Sequence, residues 1–362
     1  MQFLIDLGIT IITAYLAFTN QLADKLIDIL PTEEEVEVIE ENDPVTLNPL
    51  PTSLSTRSLP DILLRSTAYQ QASAITTIDP DQVYVKDPTE ALVNIFCTFV
   101  TDTTIRTTTG SGFFIHNDGV ILTNAHVAQY LLLGSTDILG DAECVVRQGN
   151  PAHPKYLAEL LYIPPTWAQE NAGLINDAAP TGTGERDYAL LYVTKAINDE
   201  PLPEVFPTLP FDADLLPRSI ANKNVTAVGY PAGSLLRNGP GTDLLPVSSL
   251  TTISELYTFG SNYADVFSIR GSQVGEEGSS GGPVLNEAGA VIGIIVTKGD
   301  DERDGTGSLR AITTSHIHRT ILEETGFSLA RNVSGNLTNR AEIFATTLAP
   351  FMINLLSEEI LN

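Results

Sequence analysis

Residues 278–298 run GSSGGPVLNEAGAVIGIIVTK. Glycines at 278, 281 and 282 surround two serines, so the first five positions form a turn of unusually free backbone. Such a turn lets peptide N–H groups converge on one point. The remainder is apolar and rich in β-branched residues, the composition of strand. Stretches of the same kind lie upstream: ALVNIFCTFV (91–100), GSGFFIH (110–116), VILTN (120–124), ECVVRQ (143–148), YLAELLYI (156–163), DYALLYV (187–193), VTAVGY (225–230) and DVFSIRG (265–271). SLRAIT (308–313) follows. Asn117-Asp118-Gly119 between the second and third reads as a hairpin turn, because these residues tolerate positive φ. Many short strands with turns between them predict an all-β barrel or sandwich.

The whole chain has 362 residues, enough for about two domains. It carries 45 acidic and 19 basic residues, a formal charge of −26. Nucleic acid is excluded as a partner, since a phosphate backbone is held by clustered Lys and Arg and none cluster here. An electrostatic grip on anionic lipid fails for the same reason. Apolar residues at 43% suffice for a globular core and argue against wholesale disorder. Only two cysteines occur, Cys97 and Cys144, too few for a disulfide-dense scaffold or a four-cysteine zinc site.

Outside the β-rich region the character changes twice. Residues 3–18 are almost wholly apolar but short for a membrane span and broken by Asp6. Extended to Leu30, the segment shows a polar stripe at helical spacing. Residues 1–30 therefore predict a helix that serves either as a membrane anchor or uncleaved signal through 3–18, or as a docking or homo-oligomerisation element. An anchor or signal would make the protein membrane-associated or exported rather than cytoplasmic. Residues 31–88 open with seven acidic residues between Glu33 and Asp43 and continue with prolines, the pattern of an extended spacer. Helix is predicted again over Ser315–Thr325. Leu337, Ala341, Phe344, Leu348, Phe351 and Leu355 then form a seam that Pro350 should kink or restart as a second helix.

Three segments place a reactive side chain where strand gives way to turn. ILTNAHVA (121–128) puts His126 at a strand end, GERDYALLYV (184–193) puts Asp187 at a strand start, and the glycine-rich turn carries Ser280. These residue types suit nucleophilic catalysis. A serine hydroxyl attacks only when a base takes its proton, and the base needs a third group to fix its tautomer. Taken singly, each has a plainer explanation: a core histidine, a strand-start cap, a turn serine. His316 and His318 form a pair with no third metal ligand evident, and suit a helix start better. His116 and His153 read as surface residues.

Taken together and in this order, the segments resemble the trypsin-like (chymotrypsin-fold) serine proteases. GSGFFIHNDGVILTNAHVA, DYALLYV, VGYPAG and GSSGGPVLNEAGAVIGIIV are most similar to the HtrA/Deg-type bacterial branch. The resemblance spans Thr89–Gly326. It implies an all-β core of two six-stranded antiparallel barrels, the first over 89–198 and the second over 199–326, with a helical segment over 327–362. It implies Ser280 as nucleophile, His126 as general base and then acid, and Asp187 as the orienting carboxylate. The backbone amides of Gly278 and Ser280 would form the oxyanion hole. No metal or organic cofactor is implied, and the partner is a protein or peptide substrate. Val274 occupies the position of the specificity-pocket base, Glu276 and Glu277 its rim, and Thr297 a further substrate-binding position. No acid stands at 274, so a small or medium apolar side chain is expected before the scissile bond.

Departures from the family carry their own implications. Digestive members have an aspartate just before the nucleophile that pairs with a new N-terminus, and here Ser279 stands there. Activation by N-terminal insertion is therefore not expected. The stretch after Gly326 is too short for the PDZ domain that HtrA-type proteins usually carry. The insertion Pro164–Gly184, which holds Trp167, borders the cleft in the family; here both substrate contact and a solvated loop fit. Cys97 and Cys144 fall on the first and fourth strands of the first barrel, so a disulfide and two separate buried thiols both fit. The overall expectation is a serine endopeptidase. The alternative is a catalytically latent protease-fold module that binds or chaperones.

Overall fold

The computed structural model describes residues 48–49, 62–78, 81–100, 105–134, 141–176, 184–198, 200–239, 242–260 and 262–361. The expected helix over 1–30, with its membrane and oligomer readings, and the acidic run after it lie outside these residues.

A short strand β1 (Asn48–Pro49) precedes two barrels. The first is built from β2 (Leu92–Val100), β3 (Ile105–His116), β4 (Val120–Thr123), β5 (Asp141–Gln148), β6 (His153–Tyr162) and β7 (Ala189–Ala196). These close in the order β2-β3-β4-β7-β6-β5, every pair antiparallel. The second uses β8 (Asn224–Gly229), β9 (Val247–Thr258), β10 (Val266–Ile269), β11 (Pro283–Leu285), β12 (Val291–Lys298) and β13 (Leu309–Thr313). Its order is β9-β10-β13-β12-β11-β8, closed by a β8–β9 pairing, with β1 added in parallel to the β9 edge. The fold is that of two six-stranded antiparallel barrels with flanking helices.

Closure explains why the short apolar runs read so clearly as strands. A barrel has no free edge, and a strand such as β4 (VILT) is buried along its whole length. Phe113, Phe114, Ile121, Leu122, Leu190 and Leu191 are buried on the two faces of the first barrel's wall, consecutive residues on opposite sides. Val225, Ile253, Phe267, Ile269, Val284 and Ile295 fill the second. Of the twelve barrel strands, β9 was not expected from sequence. Its central pair inverts the usual pattern: Leu250 is 74% exposed, while Thr251 is buried and its hydroxyl donates to the Arg270 carbonyl. That inversion hides the two-residue period on which strand reading rests.

Cys97 and Cys144 are direct partners across β2 and β5, and their sulfurs are bonded. The bridge spans a sequence separation of 47 residues, which restricts the unfolded chain. Replacing both cysteines by serine is expected to lower unfolding free energy by about 2–4 kcal/mol, read from urea midpoints of the two proteins.

Helices finish the body. Residues assigned to the spacer include α1 (Thr67–Ala74), whose Tyr69 is buried and donates to Asn332. This end of the 31–88 segment is thus packed rather than extended, because Tyr69 and Leu63 bring apolar surface to the C-terminal helices. α2 (Ala125–Leu133) follows β4, α3 (Pro165–Asn171) and a 3-10 turn (Ala172–Asn176) follow β6, and α4 (Thr314–Thr325) follows β13. α5 (Leu337–Thr347) and α6 (Ala349–Leu361) are bent by 48° at the break, and Pro350 sits in the first turn of the second. Among the described residues no single helix is long and apolar enough to cross a membrane.

Candidate active site

His126 is the second residue of α2, not the end of β4 as its sequence suggested. This placement matters because the first amides of a helix lack internal acceptors. The His126 N–H finds its acceptor in Asp187 Oδ1 at 2.9 Å. The other carboxylate oxygen, Oδ2, lies 2.6 Å from His126 Nδ1. One carboxylate thus binds both the backbone and the ring of the same histidine. A carboxylate only accepts, so Nδ1 carries the proton and Nε2 presents its lone pair outward. Asn124, at the helix cap, donates from Nδ2 to the Asp187 carbonyl at 2.8 Å.

Asp187 lies two residues before β7 and owes its direction to a tight turn. Gly184 and Arg186 both have positive φ, 83° and 54°, and the Asp187 N–H returns to the Gly184 carbonyl at 3.1 Å. A non-glycine residue in this region is strained, and side-chain anchorage offsets the strain. The Arg186 guanidinium lies 3.0 Å from both Glu323 and Glu324, carboxylates of α4. Glu324 also accepts from the Tyr162 hydroxyl at 2.5 Å. Burial pushes its carboxyl up, against the pull of Tyr162 and Arg186. Removing one member of a buried pair strands the other charge. Glu324→Ala is therefore expected to cost about 3 kcal/mol in unfolding free energy, read by chemical denaturation.

Ser280 lies in the loop before β11. Gly278 and Gly281 have φ of 93° and 86°, as the glycine-rich turn requires. The loop is pinned by Ala232 N–H to the Glu277 carbonyl (2.7 Å), Gly282 N–H to Ser279 (2.9 Å) and Gly281 N–H to Ile295 (2.8 Å). The Ser280 carbonyl accepts from Ser111 N–H on β3 at 2.7 Å. Thr123, on β4 just before the His126 helix, donates to the Ser111 carbonyl at 2.7 Å. The second barrel's serine loop is thus docked on the first barrel at Ser111 and Thr123. Among the described residues neither the Gly278 nor the Ser280 N–H has a protein acceptor.

A crevice beside His126 and Asp187 is lined by Trp167, Asn171, Leu174, Val296 and Thr297. The insertion 164–184 is therefore no solvated loop over its described part: Trp167 is only 3% exposed. Behind it stands α6, which packs on α2, α3 and the 3-10 turn, and Asn176 Nδ2 donates to the Glu359 carbonyl at 2.9 Å. Val274, read as a pocket base, is enclosed in the second barrel's core next to Gly229. Glu276 and Glu277 are exposed. His116 is buried rather than superficial, its ring within 3.5 Å of Asp118 and Ser334. His316 lies at the start of α4 against Asp265, and burial lowers its pKa. Among the described residues no three metal-ligating side chains converge.

Residues 110–294 match the family described as the trypsin-like peptidase domain. The chain belongs to this family. Solved structures similar to this peptidase include the Rv3671c protease of M. tuberculosis. Its active form is 21% identical with a TM-score of 0.40, over 70% of this chain and 89% of that one. The inactive form gives 20% and 0.39, over 65% and 89%. A serine-to-alanine variant of the inactive form gives 20% and 0.39, over 70% and 96%. No curated protein sequence matches. The peptidase is of the serine type, and proteins are its substrates. The sequence did not point to Asn124 or Ser111, and it left the insertion 164–184 open between substrate contact and a solvated loop. Asn124 before an apolar run was the one readable signal, since it is a helix-cap residue.

Proposed function

We propose that the peptidase is an endopeptidase working through Ser280, His126 and Asp187 and an acyl-enzyme intermediate. The reading rests above all on the two-point grip of Asp187 on His126, which fixes the tautomer a general base needs. His126 Nε2 takes the Ser280 hydroxyl proton as Oγ attacks the scissile carbonyl. Asp187 stabilises the imidazolium so formed. The tetrahedral oxyanion is met by the N–H groups of Gly278 and Ser280, which have no protein acceptor among the described residues. His126 then returns the proton to the leaving amine, and water repeats the sequence to release the acid. Thr297 and Glu277 are assigned to substrate contact. Val274 supports the loop from within the core.

A fluorophosphonate probe tests this reading without a known substrate. The wild-type protein is expected to label at Ser280, with Ser280→Ala and His126→Ala both unlabelled while retaining wild-type circular dichroism. Folded wild-type protein that does not label would instead support a latent binding module.

A further inference from the structure

Ser111 lies on β3, fully buried, on the barrel that does not carry Ser280. Its hydroxyl donates to the Gly278 carbonyl at 2.7 Å and accepts from the Tyr230 N–H at 2.9 Å. Tyr230 directly follows β8, so the one hydroxyl ties the first barrel to two separate segments of the second. Gly278, with φ of 93°, is then held on both sides of its Cα. The peptide before it is anchored through the Glu277 carbonyl by Ala232, and the peptide after it through its own carbonyl by Ser111. In a trans peptide the N–H points opposite to the C=O. Anchoring Glu277 therefore aims the Gly278 N–H away from Ala232, and anchoring Gly278 stops the unit from rotating about its Cα.

The side chain between these anchors and the nucleophile adds no hydrogen bond: among the described residues the buried Ser279 hydroxyl has no hydrogen-bond partner. A buried hydroxyl normally finds one, so no hydrogen bond from the side chain at 279 holds the loop's shape. We infer that Ser111 is the positioning residue for the oxyanion-stabilising loop, holding it in its working shape from across the barrel interface. This rests on the catalytic reading of Ser280, Gly278 and His126 above. It also makes docking of the two barrels the event that completes the loop.

Ser111→Ala removes the hydroxyl but keeps the Ser111 N–H bond to Ser280. The buried Tyr230 N–H and Gly278 carbonyl lose their partner, and the loop gains freedom. With fluorogenic casein as substrate and active sites counted by fluorophosphonate titration, kcat per active site is expected to fall about 10- to 100-fold. KM should stay within about twofold, since the loop acts on the transition state. Phenylboronic acid, which forms a tetrahedral adduct on the serine, should weaken by the same factor as kcat. Ser111→Cys, nearly isosteric with a weaker donor, should fall between and guards against poor folding of the alanine variant. Wild-type kcat and boronate affinity in either variant, with stability alone reduced, would overturn the inference. Wild-type protein that fails to label, or Ser280→Ala that labels, would overturn the catalytic reading itself and is seen with Ser111 intact.

Discussion

Asp187→Asn is expected to lower kcat about ten-thousandfold while the protein stays folded. The reason lies in the two-point contact. Asp187 accepts the His126 N–H on one oxygen at 2.9 Å and faces Nδ1 with the other at 2.6 Å. An amide has one acceptor and one donor end. If its oxygen keeps the helix amide, its NH2 meets Nδ1, which must then give up its proton and accept. The proton moves to Nε2, and the ring can no longer take one from Ser280. If the amide flips, the first turn of α2 loses its acceptor instead. The measurement is kcat per active site, with 15N NMR of the imidazole reporting the tautomer. A variant with unchanged ring tautomer and more than a tenth of wild-type activity would show that Asp187 does not set the base.

Gly281→Ala is expected to break the docking of the serine loop. A Cβ at 281 would stand 2.0 Å from the Ser111 carbonyl and 2.5 Å from Thr123 Oγ1, at a φ of 86°. Backbone cannot yield as a flexible side chain does, so the loop must leave β3 and take the Ser280 carbonyl off Ser111. Displacement of the reacting group by about an ångström costs on the order of a hundredfold in rate. Left-handed strain adds about 1–2 kcal/mol of instability. Gly289→Ala separates the two effects. Gly289 has a similar φ of 80° but open space around its would-be Cβ. It should lose the strain energy alone and keep full activity, as thermal melts and casein turnover would report. Equal activity in both variants would mean that the loop does not need its seat on the first barrel.

Strands built on apolar runs were legible because a closed barrel buries them, and β4 and β12 are buried over most or all of their length. β9 was not, because Leu250 and Thr251 reverse the expected sides. His126, Asp187 and Ser280 stood out through glycine, strand ends and chain order, all local signals. The parts that hold them did not. Arg186 meets Glu324, Asn124 meets Asp187 and Ser111 meets Gly278 across long stretches of chain. A polar residue carries no mark in sequence of which distant partner will satisfy it. Val274 shows the complementary difficulty: a valine before a turn reads alike whether it floors a pocket or, as here, fills a core.

The wall behind Trp167 bears on the order of synthesis. Residues 349–361 leave the ribosome only after both barrels, yet they back α3 and the 3-10 turn beside His126. The barrels can close and dock while that flank of the cleft is still unsupported. A growing chain therefore completes both barrels earlier than the helix that backs the crevice at Trp167.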